Sequence, residues 1–350
     1  MKIALDAMGG DFAPQHPIAG AIMALDAYDD LELILTGPED LIQKELDRQP
    51  HHQFHRIEIV HTTQVIGMDE SPIQAIRKKR DSSLTRAIEL VDNGRAQAVV
   101  SAGNTGALFS AAHIKLRTLP GVDRPGLACV LPGRDKRFIL IDAGANLEAR
   151  PEHLFTYALM GSLYAREILG IRNPRIGLFS IGTEDIKGNE LTLETHRLLK
   201  NSSLNFIGNL DGHEIFSDRC DVLIADAFVG NALLKTAEST FRAVGYWLKQ
   251  SIQKKFIYKL GAFLARGAFR DLKLRADPDV FGGAILLGID GLVLKAHGSA
   301  SPLAIKNTIR LAMDFVSDHF NDHIVEEISK LKKESADNTT LEAEFKLQSE

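Results

Sequence analysis

The sequence predicts an α/β fold: a mostly parallel sheet with helices on both faces, an α/β/α sandwich. Short, strand-like apolar runs alternate with longer stretches of helical period, as strands that are apolar on both faces do. Five of these runs end in a loop that combines glycine with Asp, Asn, Ser or Thr, the usual strand-to-helix turn chemistry. The chain has 350 residues, 45% hydrophobic and 25% charged, so it can bury a large core without disulfides or metal.

The elements follow in order. Ile3-Ala4-Leu5 is a strand that leads into Asp6-Ala7-Met8-Gly9-Gly10-Asp11. Leu33-Ile34-Leu35 ends at Thr36-Gly37-Pro38, and Ile57 to Val60 follows. Ala98-Val99-Val100 leads into Ser101-Ala102-Gly103-Asn104-Thr105-Gly106. Phe138 to Ile141 leads into Asp142-Ala143-Gly144-Ala145-Asn146. Ile176 to Phe179 leads into Gly182-Thr183-Glu184, and Val222 to Ala225 into Asp226 to Asn231. Leu292 to Ala296 is a strand ending at His297-Gly298-Ser299. Helical periods lie between, as at Leu154 to Leu169 and Leu191 to Leu199. No repeat of 20–50 residues is present. Residues 1–330 read as one α/β unit, undivided or in two lobes, and 331–350 as a polar tail without an apolar stripe.

Composition excludes several classes. A net charge of −5 argues against general nucleic-acid binding. No run of 18 apolar residues exists, and the chain opens on a strand rather than a signal peptide, so a cytoplasmic protein is expected. Cys129 and Cys220 sit in apolar contexts and read as small core residues of a reducing compartment, with a catalytic thiol as the rival reading. No C-x-x-C or H-E-x-x-H occurs, and neither a metal nor a cofactor is expected.

The five loops are expected at one edge of the sheet, outside the carboxyl ends of the strands, where α/β folds bind ligands. Free N–H groups at helix N-termini suit phosphate there, and glycine lets the backbone approach it. A nicotinamide dinucleotide is the rival ligand. The G-x-G-x-x-G fingerprint is absent after the first strand, and Leu35 is followed by Thr36 where an acidic ribose contact would stand. P-loop and G-x-S-x-G motifs are also absent.

Three later residues carry candidate chemistry. Lys187 lies in the short loop Glu184 to Glu190, and Lys235 on the helix opened by Asp226 to Asn231. Each offers a compact positive charge to phosphate or an oxyanion, or is a solvated surface lysine. His297, at a strand end, is either packed or an anion contact and proton carrier.

Together these segments resemble the bacterial phosphate acyltransferase (PlsX) family. The resemblance rests on Ile3 to Asp11, Ser101 to Ala107, Asp142 to Asn146, Gly182 to Glu190, Asp226 to Asn231, and Gly282 to Gly288 through His297-Gly298, in order. It implies a fold akin to phosphotransacetylases and isocitrate/isopropylmalate-type dehydrogenases. The implied reaction is attack of inorganic phosphate on a fatty acyl thioester of acyl carrier protein, giving acyl phosphate for phospholipid synthesis. The resemblance also implies a homodimer. On it, Lys187 and Asn231 are the expected catalytic residues, acting on the phosphate or the oxyanion. Asp6, Gly9, Gly10, Asp11, Gly103, Asn104, Thr105, Gly106, Asn146, Lys235 and His297 are the expected cleft residues. A dehydrogenase on a related fold and a non-catalytic membrane-surface scaffold are the competing readings.

One stretch stands apart. From Lys235 to Arg275, ten Lys or Arg face only Glu238 and Asp271. Val244, Leu248, Ile252, Phe256 and Leu260 recur every four residues, which makes one apolar stripe on a helix. That helix packs on the core or on a partner subunit, or it meets an anionic membrane or the acidic carrier protein. The inner face of the plasma membrane and the downstream glycerol-3-phosphate acyltransferase are further candidate partners.

Overall fold

The computed structural model describes residues 1–49, 54–276, 280 and 282–331. Within it, eleven strands form one sheet. They are β1 (Lys2–Asp6), β2 (Glu32–Gly37), β3 (Ile57–His61), β4 (Ala98–Ser101), β5 (Gly126–Pro132), β6 (Arg137–Ile141), β7 (Ile176–Phe179), β8 (Phe206–Leu210), β9 (Val222–Ile224), β10 (Ala284–Leu287) and β11 (Leu292–Lys295). The helices are α1 (Gln15–Ala27), α2 (Glu39–Leu46), α3 (Pro72–Lys78), α4 (Ser83–Asp92), α5 (Thr105–Leu116), α6 (Pro151–Glu167), α7 (Glu190–Lys200), α8 (Ala227–Gln253), α9 (Phe256–Leu264), α10 (Arg266–Ala276) and α11 (Pro302–Ser317). Residues 320–331 are also helical; the rest of the expected tail, 332–350, lies outside the described residues.

The strand order is β3-β2-β1-β4-β11-β10-β5-β6-β9-β7-β8. Seven of the ten neighbouring pairs are parallel. The exceptions are β10 with β11, β10 with β5, and β5 with β6. These reversals correct one expectation. The half β3-β2-β1-β4-β11 runs one way and the half β6-β9-β7-β8 the other. The loops after β1, β4 and β11 therefore lie at one edge of the sheet, and those after β6, β7 and β9 at the opposite edge.

Period-two alternation buries both faces, as the apolar runs require. Ile3 and Leu5 join a cluster with Ile18, Tyr157, Tyr164 and Phe315 that spans both halves. Edge-on ring contacts of Tyr164 with Phe315 and Phe320 add about 0.5–1.5 kcal/mol each beyond burial. On the other face the core is split. Ala4 and Val99 pack with Ile88 and Leu108, whereas Leu140 and Leu223 pack with Leu127 and Phe138. Phe109 and Ala145 touch both of these clusters. Both cysteines are buried, and burial pushes each thiol up to about 12, too high for a nucleophile.

The basic, apolar stretch differs from its expected form. It is not one helix: α8 stops at Gln253, Lys255 is extended, and α9 and α10 follow. Nor does the stripe pack on the core, since Val244, Leu248, Phe256 and Leu260 are exposed, as are Trp247 (63%) and Leu264 (76%). Among the described residues, no helix is long and apolar enough to cross a membrane.

Candidate active site

Where the two clusters part, a cavity of about 750 Å³ opens between α5, β5, α8 and the end of β11. Its aliphatic walls come from Leu127, Val130, Leu131 and Leu234. Asn231, Lys235, Glu238, Lys295 and His297 are among its polar groups, with Asp11 and Thr105.

The first edge is braced by Asp6. Its buried carboxylate accepts from Ser101 Oγ (2.7 Å) and from the Met8 N–H (3.2 Å). Burial raises its pKa, and the hydrogen bonds of Ser83 and Ser101 oppose that. Gly9 is required by contact: a Cβ there would stand 2.7 Å from both Asp6 Oδ2 and the Gly103 nitrogen. The Asp11 N–H donates to the Gly298 carbonyl (2.8 Å), which ties the β1 loop to the β11 loop. Asn104 caps α5 by accepting from the Ala107 N–H (3.0 Å), and its amide donates to the Met68 and Glu70 carbonyls (both 3.0 Å).

The second edge is organised around Asp142. Its buried carboxylate accepts backbone N–H groups from Leu127 (3.0 Å), Gly144 (2.9 Å), Ala145 (2.8 Å) and Asn146 (2.8 Å). Burial raises its pKa, and these amides pull the other way. The N-terminus of α8 is capped by Asp226, which accepts from Phe228 (3.0 Å) and Val229 (3.1 Å). It is seated against this turn by Gly230, where a Cβ would lie 2.0 Å from the Asp142 carbonyl oxygen. Asn231 is thereby set beside Gly144.

α8 joins the two edges. Residues 231, 235 and 238 share one face of the helix, over a length of about 10 Å at 1.5 Å per residue. At its far end the Glu238 carboxylate, 14% exposed, meets Lys235 Nζ (3.1 Å), His297 Nε2 (3.8 Å) and Arg242 (3.9 Å). The cavity thus runs from Asn231 toward His297, bridging loops that the opposed halves of the sheet hold apart.

Six expected residues line it: Asp11, Thr105, Gly106, Asn231, Lys235 and His297. Asp6, Gly9, Gly10, Gly103 and Asn104 do not line it; Asp6 and Asn104 have their polar groups committed to holding its loops, and Gly9 and Gly103 pack against each other beside Asp6. The Asn146 amide donates to Tyr157 Oη (3.1 Å) and also stands outside the lining. Lys187 stands apart as well, exposed in the loop after β7. That loop is firmly built: Ser180 Oγ (2.9 Å) and Asn209 Nδ2 (3.4 Å) donate to the Lys187 carbonyl, and buried His196 contacts Asn209 Oδ1 (2.9 Å). The Lys187 ammonium makes no ion pair among the described residues.

Lys295 and Glu238 are polar lining residues that sequence reasoning missed. For Lys295 the available signal was a charge ending the apolar run Leu292-Val293-Leu294. Burial, helped by the like charge of Lys235, lowers its pKa to about 8, with Asp6 and Asp11 opposing. His297 is lowered for the same two reasons in the same order. Among the described residues, Glu167, Asp318 and His323 form a cluster with metal-ligand spacing, and none of the three lines the cavity.

A groove with aliphatic walls, two lysines, Asn231 and His297, in a chain without a dinucleotide fingerprint, suits a small anion meeting an apolar chain. Comparison with known proteins agrees. A family described as "fatty acid synthesis protein" matches residues 1–323. The Phosphate acyltransferase of Clostridium tetani is 41% identical over 332 residues, covering 95% of this chain and 99% of that protein. The chain belongs to the phosphate acyltransferase family. It is an acyltransferase enzyme, which sets aside the dehydrogenase and scaffold readings. A phosphotransacetylase from Streptococcus pyogenes shares the fold, with a TM-score of 0.59 at 18% identity over 90% of this chain and 94% of that one. So does a 4-hydroxythreonine-4-phosphate dehydrogenase from Klebsiella pneumoniae, with a TM-score of 0.51 at 13% identity over 90% and 98%.

Proposed function

We propose that this enzyme transfers a fatty acyl group from acyl-[acyl carrier protein] to inorganic phosphate, giving acyl phosphate for phospholipid synthesis. The observation that carries the reading is the cavity itself, where cations and Asn231 adjoin an aliphatic wall. A phosphate oxygen attacks the thioester carbonyl, the carbonyl oxygen becomes an oxyanion, and collapse expels the carrier's thiolate. Phosphate is the nucleophile, so no activated serine or cysteine is needed, in keeping with the raised thiols. Thiolate leaves readily, so a strong general acid is dispensable. Holding the two reactants in contact supplies much of the rate.

Asn231 donates to the oxyanion or the phosphate without adding charge. Lys187 is the second residue assigned to that centre; it lies outside the cavity lining, on the loop after β7, the strand that pairs in parallel with β9. Lys235 brings a positive charge to the anion end, and His297 offers a ring N–H there. The exposed α8–α10 arm is the contact surface for a second subunit, an anionic membrane or the acidic carrier protein. The product is the test: hydroxylamine traps acyl phosphate as a hydroxamate. Hydroxamate that forms from acyl carrier protein only with phosphate and enzyme present supports the reading, and carrier release without it refutes the reading.

A further inference from the structure

The cations lining the cavity are not equivalent. Lys235 and His297 face Glu238, so the charge of Lys235 is largely answered, and the histidine, its pKa lowered by burial, adds little charge of its own. Lys295 differs. It is 8% exposed, yet no carboxylate lies within ion-pair distance among the described residues. Its ammonium instead donates to the Ala102 carbonyl (3.1 Å) and to the carbonyl of Ala296. An ammonium has three N–H donors, so one remains unspent.

The position is built for a long side chain. On the sheet Lys295 pairs with Ser101 of β4 and Ala284 of β10, both small. Gly283 lies so near that a Cβ on it would be 2.2 Å from the Lys295 carbonyl oxygen. The two carbonyls then fix the head group at the cavity wall. A buried, hydrogen-bonded cation with no carboxylate in ion-pair contact, only the more distant charges of Asp6 and Asp11, is costly to keep charged, and an anion arriving in the cavity relieves that cost. Charge-assisted N–H to oxyanion bonds are the strong ones, and a lysine fits phosphate as a point charge.

We propose that Lys295 is a phosphate-contacting residue of this enzyme, the cation whose free N–H receives the inorganic phosphate while Lys235 and His297 are held by Glu238. This rests on the reading that phosphate is the acyl acceptor. Lys295 transfers no proton in this role; it binds the nucleophile and neutralises its charge during attack. The competing role is a strut that joins the ends of β4 and β11 and touches no ligand.

The test uses the full-length enzyme with Lys295→Met, which keeps the length and removes the charge, and Lys295→Arg, which keeps the charge. Equilibrium dialysis with radiolabelled inorganic phosphate is expected to show binding weakened about 10- to 100-fold in Lys295→Met, with partial recovery in Lys295→Arg. Phosphate should raise the melting temperature of the wild type and not that of Lys295→Met. Sulfate has a fixed charge in this range, and its binding should weaken from about pH 7 to pH 9 in the wild type as the ammonium deprotonates. Asp6, Asp11, Lys235, Glu238 and His297 also face this group, so the slope is compared with that of Lys295→Met, which should lack it. If Lys295→Met does not fold, the wild-type pH slope and Lys295→Arg decide. Unchanged phosphate binding in Lys295→Met, or a flat wild-type slope, overturns the inference while phosphate-dependent carrier release leaves the acyltransferase reading standing. Phosphate binding that depends on Lys295, without acyl transfer, does the reverse.

Discussion

Asn231 and Lys295 show how differently two polar residues reach one cavity. Asn231 arrives on the first turns of a capped helix whose cap and glycine are visible in the sequence. Lys295 arrives at the end of a buried strand, where sequence pattern reads a charge as the strand's solvated terminus. Only the neighbours Ser101, Ala284 and Gly283 turn that terminus inward; Ser101 comes from a distant part of the chain, and the pairing with Ala284 depends on how β10 and β11 meet. Asp6 and Asn104 illustrate the converse: their motifs suggest ligand contact, and their polar atoms are consumed in holding loops. Asn231→Ala is expected to lower kcat about 10- to 1000-fold, as loss of an oxyanion donor does, with the melting temperature nearly unchanged. Steady-state kinetics with saturating acyl carrier substrate checks this; a change in KM alone would point to ground-state binding instead.

At the scale of elements, α8 is the decisive piece. Its start is pressed onto Asp142, its middle lines the cavity, and its end leaves the body. Gly230→Ala is expected to push the helix off the Asp142 turn, costing about 2 kcal/mol or more and lowering activity through Asn231. Chemical denaturation and turnover measured together check it, and a variant as stable and active as the wild type would contradict the seating described. Beyond Thr240 the apolar residues of the arm are largely exposed, Phe256 at 81%. The four-residue spacing of the stripe was legible, but the break at Lys254-Lys255 was not, because no proline or glycine marks it. Reversing the charge at Lys254 and Lys255 to glutamate is expected to weaken association with anionic vesicles or with the carrier protein. Unchanged vesicle co-sedimentation and unchanged affinity for acyl carrier protein would leave subunit contact as the arm's role.

At the scale of the whole molecule, the sheet explains the site. Apolar runs marked the strands β1, β2, β4, β6, β7, β9 and β11, because each is buried on both faces, and β3 by a run interrupted by Glu58 that lies half-buried at the sheet edge. Strand direction is not local information, however, and neither is the order of strands in a sheet. The antiparallel insertion of β5 and β10 was therefore hidden, and with it the reversal that puts the Asp6–Asp11 and Ser101–Gly106 loops opposite the Asn146, Lys187 and Asn231 loops. The cavity bridges the two edges through α8, which suits the proposed meeting of an anion and an acyl thioester. The most direct measurement of that claim is release of free carrier from acyl carrier protein as phosphate is titrated, for the wild type and for the Lys187→Ala/Asn231→Ala double variant. The account predicts release that rises and saturates with phosphate and is lost in the double variant. Release independent of phosphate, or surviving loss of both side chains, would contradict it.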